Sequence, residues 1–410
     1  MKICVFSHTF SRFKNDAAGG AFMDGFCEGL QQEGNKVIVL VPYDVKIHRG
    51  DHDQNYKFRY FKYVYPLSLH VLGYSRTLEN DRKLKKIVYL LAPLYYFFGF
   101  LSLLKLVIKE KIDVINVHWI IPGGFIAAIV SLITGVPLVI TVAGSDVYLA
   151  SKNKLFRFMA LFAAKVSKEI VGGGSPLWTE DLVKIGVQKN KTSHTIIYGV
   201  DPKKFFPTKK GVNKLKNKLN IRDNAMVVLA VGRLVYKKGM HILINSISNV
   251  VEKNKNVKFV IVGDGDQKKE LQTLSKELKV NNNLIMPGTI LRDELLTYYN
   301  MCDIYVSMSI RDKFGNLDDQ SIALVEVMAC MKPTIATNLA GNRIIVKNNK
   351  NGLLFKMGDS KELSEKINFL AENEKIRKKF AETGYKLALN DFSVGAVGKS
   401  YTKLFKQIIG

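Results

Sequence analysis

Residues 311–355 read RDKFGNLDDQSIALVEVMACMKPTIATNLAGNRIIVKNNKNGLLF. Within them, Ser321-Ile-Ala-Leu-Val-Glu-Val-Met-Ala329 patterns as a helix between a loop and a strand. Asp319 or Ser321 is placed to cap it, because either side-chain oxygen can accept from an orphan N–H group of the first turn. Pro333-Thr-Ile-Ala-Thr-Asn338 then reads as a short buried strand, and Ala340-Gly-Asn342 as a turn before another helix. Asp318 and Glu326 stand eight positions apart, one at the helix start and one two turns on. Carboxylates so placed suit a ligand rich in hydroxyls, since they accept hydrogen bonds from sugar or ribose OH groups. The same spacing fits two solvated acids on an amphipathic helix, and spacing alone does not choose.

Upstream, the alternation of strand and helix continues. Residues 226–231 (MVVLAV) form a strand, and Gly232-Arg233-Leu-Val-Tyr-Lys237-Lys238-Gly239 a loop leading into a helix. Further strands follow at 258–262, at 284–286 with Gly288 beyond, and at 304–307, with helices between. Such alternation indicates a doubly wound parallel sheet. Arg233 and Lys238, after a strand and at a helix N-terminus, are arranged to grip a diphosphate. Asp264-Gly-Asp266 has the look of a metal-binding pair of acids or of a strand-end turn.

The first half of the chain repeats the pattern. Strand 2–6, helix 21–32 and strand 36–42 make a βαβ unit. Gly19 and Gly20 lie at that helix's N-terminus, where bare backbone and the helix dipole favour a phosphate, although a glycine pair is also an ordinary tight turn. Strand 113–117 ends in His118-Trp119, and strand 138–141 leads into Thr141-Val-Ala143-Gly144-Ser145-Asp146. Ligands in open parallel sheets bind beyond the strands' carboxyl ends, which places His118 and Asp146 well. Residues 43–82 are irregular, basic and aromatic, and fit either an acceptor-facing excursion or an edge strand with snorkelling lysines.

Residues 87–104, IVYLLAPLYYFFGFLSLL, are uncharged between lysine-rich flanks. A helix of that length nearly crosses a hydrocarbon core. A single crossing, however, would separate strands 2–6 and 113–117, which must share one sheet. The segment is therefore expected to be a core helix or an apolar helix leaning into a membrane interface, and not a span. The second reading is favoured by apolarity all round and by the charge.

The 410 residues suggest two domains. Sixty-one Lys and Arg against 36 Asp and Glu give a net charge of +25, which points to an anionic partner or surface. The sequence carries no RNA-binding, zinc-finger or helix-turn-helix signature, so nucleic acid is not expected as a partner. Cys4, Cys27, Cys302 and Cys330 lack metal-site spacing and suit a reducing compartment. No N-terminal signal segment is read.

The segment around Asp318 and Glu326 resembles the donor-binding block of retaining GT-B glycosyltransferases of the glycogen-synthase-like family 4. That block is written E-x7-E, then A-M-A and G-x-P. Glu326 matches the second glutamate and Asp318 stands at the first; Met328-Ala329, Pro333 and Gly352-Leu353-Leu354 match in place. Gly199-Val200-Asp201, with Phe205 and Pro207 after it, resembles the family's hinge. His118-Trp119 and Thr141, Gly144, Ser145 and Asp146 also match, but Ala143 stands where the family usually has its active-site histidine.

The resemblance implies two Rossmann-like parallel-sheet domains facing a cleft. Residues 1–200 would bind the acceptor and residues 201–392 a nucleotide-diphospho-sugar, with helix 393–410 packing back on the first domain. Glu326 would hold the ribose, Asp318 face the donor sugar, and Arg233 and Lys238 neutralise the diphosphate. Gly19, Gly20, Gly232 and Gly288 would line the nucleotide, with His118 and Asp146 near the chemistry. The implied activity is a retaining, metal-independent sugar transfer needing no cofactor. A UDP-sugar is the first expectation for the donor and a GDP-sugar the second. The acceptor would be a glycan or lipid-linked intermediate, met by the basic first domain at the inner face of an anionic membrane. A nucleotide-sugar epimerase or hydrolase on the same fold, or a basic polyanion-binding protein, are the alternatives.

Overall fold

The computed structural model describes residues 1–13, 16, 20, 22–50, 55–74, 78–79, 83–84 and 86–410. The chain forms two units, Met1–Gly199 with Val394–Gly410, and Val200–Ser393.

The first unit is built on a seven-stranded sheet. Its strands are β1 (Lys2–Phe6), β2 (Lys36–Pro42), β3 (Lys57–Phe61), β6 (Val114–His118), β7 (Leu138–Val142), β8 (Glu169–Gly173) and β9 (His194–Ile196), in the order β3-β2-β1-β6-β7-β8-β9. Every neighbouring pair is parallel. β4 (Leu78–Glu79) and β5 (Lys83–Leu84) form a separate antiparallel ribbon. Central strands such as β6 and β7 are buried along their whole length, as apolar runs covered by helices on both faces must be. β3 is the edge strand of residues 43–82, exposing Lys57 and Tyr60 while burying Phe58 and Phe61.

The last helix, Val394–Ile409, belongs to this unit because glycine lets it touch the helix Phe22–Gln32 backbone to backbone. A Cβ on Gly29 would lie 2.0 Å from the Val394 carbonyl oxygen, and one on Gly398 2.0 Å from that of Gly29. Asn35 Nδ2 donates to Thr402 Oγ1 at 2.7 Å, and Tyr401 OH meets Thr141 Oγ1 at 3.1 Å.

The uncharged segment lies within a 25-residue helix, Lys86–Glu110. Leu91, Tyr95, Gly99 and Leu103, one turn apart, are buried against the unit, while Leu90, Phe97 and Leu101 are exposed. Apolarity all round thus coexists with burial of one side only.

The second unit is a six-stranded parallel sheet of β10 (Met226–Val231), β11 (Val257–Val262), β12 (Leu284–Gly288), β13 (Ile304–Ser307), β14 (Thr334–Thr337) and β15 (Gly352–Phe355). Its order is β12-β11-β10-β13-β14-β15. The opening stretch supplies the helix Ile322–Ala329, β14 and β15. The expected cap is not made: Ser321 forms no side-chain capping bond. Asp319 instead accepts from Gly341 N at 2.8 Å, in the helix Ala340–Ile345, because its side chain is buried toward that neighbour.

Candidate functional site

In the second unit strand order reverses between β10 and β13, leaving a crevice beyond their carboxyl ends. The loops after these two strands are stitched together by backbone. Gly239 has φ +67°, and a Cβ there would meet the Met308 carbonyl oxygen at 2.0 Å; Ile310 N donates to Lys237 O at 2.9 Å. Glycine is required at 239 both for the left-handed turn and for this approach. The Asp312 carboxylate accepts from Phe314 N and Asn316 N, each at 2.9 Å, and so folds the following loop.

This stitching brings Lys238 Nζ to 2.5 Å from Asp318 Oδ2, with Ser309 Oγ donating to the same oxygen at 3.4 Å. Burial on its own would raise the Asp318 pKa; Lys238, Lys237 and Arg233 outweigh it and hold the carboxyl below its ordinary value. Arg233 is exposed beside this pair. A carboxylate is thus set among three cations, and Lys238 and Asp318 keep 19% and 26% of their side chains accessible.

Glu326, on the helix Ile322–Ala329, is buried. It accepts from Arg292 Nη2 at 2.6 Å and Tyr299 OH at 2.8 Å, partners that make a buried carboxylate tolerable. The Arg292 guanidinium lies 5.4 Å from the Phe205 ring centre. Gly288 ends β12 at φ +85° with open space where a Cβ would stand. Gly232 follows β10, its carbonyl oxygen 1.9 Å from where a Cβ on Gly263 would be, which forces glycine at 263. Asp264 is engaged by Lys268 Nζ at 2.8 Å and by Gly265 N, as a strand-end turn.

The corresponding reversal in the first unit, between β1 and β6, is differently furnished. His118 is fully buried, its Nδ1 3.3 Å from Tyr198 OH. Burial, reinforced by His8, pulls its pKa down to about 3. His118 Nε2 and His8 Nδ1 are buried with no hydrogen-bond partner among the described residues. Asp146 is buried too: it accepts from Ile120 N at 2.6 Å and Ala143 N at 3.3 Å. Burial raises its pKa to about 6 in spite of these backbone donors. Gly20 has φ +99° and sits tightly on Phe10, where a Cβ would come within 2.9 Å of Phe10 Cα. Its neighbour Gly19 lies outside the described residues.

Arg233, Lys238, Asp318 and Gly232 are therefore brought together at one reversal point, with Glu326 on the adjoining helix. His118 and Asp146 share the other unit's reversal point as buried, internally bonded groups. Sequence reasoning missed Arg292 and Tyr299. They lie 34 and 27 positions from Glu326 in the chain. No local spacing announces such a meeting; the packing of the turn Arg292–Glu294 and of the helix Leu295–Met301 after it creates it.

The sequence pattern described as Glycosyl transferases group 1 matches residues 212–387, and that described as Glycosyl transferase 4-like matches residues 2–171. The chain belongs to the group 1 glycosyltransferases. This glycosyltransferase is 26% identical over 340 residues to the capsular polysaccharide biosynthesis glycosyltransferase CapM of Staphylococcus aureus, covering 81% of this chain and 87% of that one. It is 28% identical over 273 residues to the UDP-Gal:alpha-D-GlcNAc-diphosphoundecaprenol alpha-1,3-galactosyltransferase of Escherichia coli, covering 63% and 66%. Anabaena Alr3699/HepE in complex with UDP-glucose matches it with a TM-score of 0.75 at 19% identity, over 99% of both chains. That likeness establishes the fold: GT-B, with two Rossmann-like parallel-sheet domains.

Proposed function

We propose that this glycosyltransferase moves a sugar, with retention of anomeric configuration, from a nucleotide-diphospho-sugar to a hydroxyl of a lipid-linked glycan intermediate. The observation that carries the reading is the cation cluster of Arg233, Lys237 and Lys238 around Asp318 at the β10/β13 reversal. A diphosphate is the ligand such a cluster suits, and fixed cations are worth most where negative charge grows as the leaving phosphate departs. On this reading residues 200–393 bind the donor and the other unit binds the acceptor.

Arg233 and Lys238 stabilise the departing nucleotide diphosphate, so the reaction needs no metal. The acceptor hydroxyl attacks on the face the phosphate leaves, and that phosphate takes the hydroxyl proton. Asp318 holds Lys238 in place before the donor arrives, and its carboxylate lies beside the sugar afterwards. Glu326, oriented by Arg292 and Tyr299, accepts from the ribose hydroxyls. Gly232 and Gly288 leave backbone room for the nucleotide. Asp146 and His118 act as positioning residues for the loops around Ala143 and Trp119.

A UDP-sugar is the first donor to test and a GDP-sugar the second. UDP is supported by the UDP-Gal in the E. coli relative's name and by the UDP-glucose bound to HepE. The lipid-linked acceptor is supported by two relatives named for diphosphoundecaprenol substrates. Such an acceptor would place the enzyme on the inner membrane face.

The experiment is a screen of nucleotide sugars by thermal shift, since a donor bound to the folded state raises its melting midpoint. Transfer from the best donor to a polyprenyl-diphospho-sugar follows, with the product's anomeric configuration read by NMR. The expected result is a glycosylated lipid with the donor's configuration. An inverted product would overturn retention, and free sugar or an epimer as the only product would overturn transfer.

A further inference from the structure

The helix Lys86–Glu110 divides lengthwise. Its inner side packs on the first unit: Tyr95 sits 5.3 Å from the Phe61 ring, and Gly99 lies against Phe61 and Ile126. Its outer side carries Leu90, Phe97 and Leu101, 75%, 57% and 41% exposed, along one stripe with four-residue and seven-residue steps. Lys86 begins that stripe, and Lys105 and Lys109 close it.

Two neighbouring helices continue the surface. The helix Phe125–Thr134 packs beside Lys86–Glu110, and Lys154–Val166 beside Phe125–Thr134. Tyr96, Phe125 and Phe162 form a chain of ring contacts across all three, at 6.0 and 5.4 Å. Leu132 and Ile133 on the second helix, and Leu155 and Phe158 on the third, are each about 60% exposed. An apolar surface of this extent marks an interaction site.

Charge says with what. From residue 86 to 168 the chain has nine Lys and Arg and only three acids, of which Asp146 is buried. Lys152, Lys154 and Arg157 interleave with Leu155 and Phe158. A second copy of this chain, itself at +25, would bring like charges together at the rim. A bilayer with anionic headgroups satisfies both features, since apolar side chains enter the acyl boundary while lysines stay among phosphates. A span is disfavoured by geometry. By length and composition the helix could cross a bilayer, but β1 and β6, which precede and follow it in the chain, pair in one sheet, and a single crossing would part them. The helix's inner side is moreover fastened to a unit whose edge strand β3 carries Lys57 and Arg59.

We infer that these three helices seat the protein on an anionic membrane surface, with the helix Lys86–Glu110 lying in the interfacial plane. This deepens the proposed function by naming the surface from which a lipid-linked acceptor is met. Vesicle binding is read without any sugar, so failure of this inference and failure of the transferase reading are distinguishable.

The full chain is floated with vesicles of phosphatidylcholine alone and of phosphatidylcholine with phosphatidylglycerol, beside the variant Leu90→Glu/Phe97→Glu. Both side chains are exposed, and an unchanged melting midpoint shows that the variant folds. Wild type should float with the anionic vesicles, less so in high salt, and the variant should bind on the order of a hundredfold more weakly. Equal binding by both proteins, or none by wild type, would overturn the inference. So would a wild-type dimer in vesicle-free solution that the variant dissolves. Tryptophans placed singly at Leu90 and Leu101, quenched by lipids brominated at known depths, should report one shallow depth. Depths differing by most of a leaflet would overturn the in-plane placement.

Discussion

The two units share a fold and a strand-order reversal, yet furnish that reversal in opposite ways. At β10/β13 the polar groups are charged, clustered and partly open: Lys238 on Asp318 at 2.5 Å, with Arg233 exposed beside them. At β1/β6 they are buried and bonded inward: Asp146 to the backbone amides of Ile120 and Ala143, and His118 to Tyr198. A parallel sheet offers the same crevice in both places. What differs is where the charged groups sit: Lys238 and Asp318 keep part of their side chains accessible, whereas Asp146 and His118 are buried.

The largest expected effect breaks the charged half of that contrast. Arg233→Ala or Lys238→Ala should lower turnover about 10²–10³-fold with the fold intact, measured by steady-state transfer. Near-normal turnover in both would remove the phosphate grip.

The buried half should answer in stability and in its pH dependence. Asp146 has its pKa raised to about 6, roughly two units above its value in the unfolded chain. Its contribution is fully present below about pH 4 and is lost as pH rises through 6, at a cost of roughly 3 kcal/mol. His118 and His8, lowered to about 3 and 4, act with the opposite sign, because they take up protons more readily when unfolded. The comparison of wild type with Asp146→Asn therefore isolates the carboxylate. Between pH 4 and 7 the gap in melting midpoint should narrow or reverse in the variant's favour. A gap independent of pH would contradict a buried, titrating Asp146.

Glu326→Gln sharpens the contrast within the second unit. It removes the charge that Arg292 and Tyr299 share, and should weaken nucleotide binding roughly 10- to 100-fold by calorimetry. Gly398→Val should leave nucleotide binding alone. By wedging a side chain between the two helices in backbone contact, it should lower the melting midpoint by roughly 2–12 °C.

Much of this was legible in the sequence. Period and punctuation sufficed for the parallel sheets, because buried strands such as VVLAV and VIV are apolar runs ended by glycine turns. Arg233, Lys238, Asp318 and Glu326 could be singled out as candidates because loop and helix chemistry is local. The pairing of Lys238 with Asp318 was not, since it depends on Gly239 passing against Met308, and sequence shows no such crossing. Asp319 was misread as a cap for its own helix because burial, not proximity along the chain, selected Gly341 as its partner. The helix Lys86–Glu110 was legible in apolarity but not in sidedness, since its exposed and buried stripes are equally apolar.

The central claim, that the β10/β13 reversal is a diphosphate grip, is tested most directly by calorimetry. The measurement is how much tighter the nucleoside diphosphate binds than the nucleoside, using UDP with uridine or GDP with guanosine, whichever the chain takes. The account predicts a large increment for the diphosphate in wild type, surviving in Asp146→Asn and collapsing in Arg233→Ala/Lys238→Ala. An increment that persists without those two cations would contradict it.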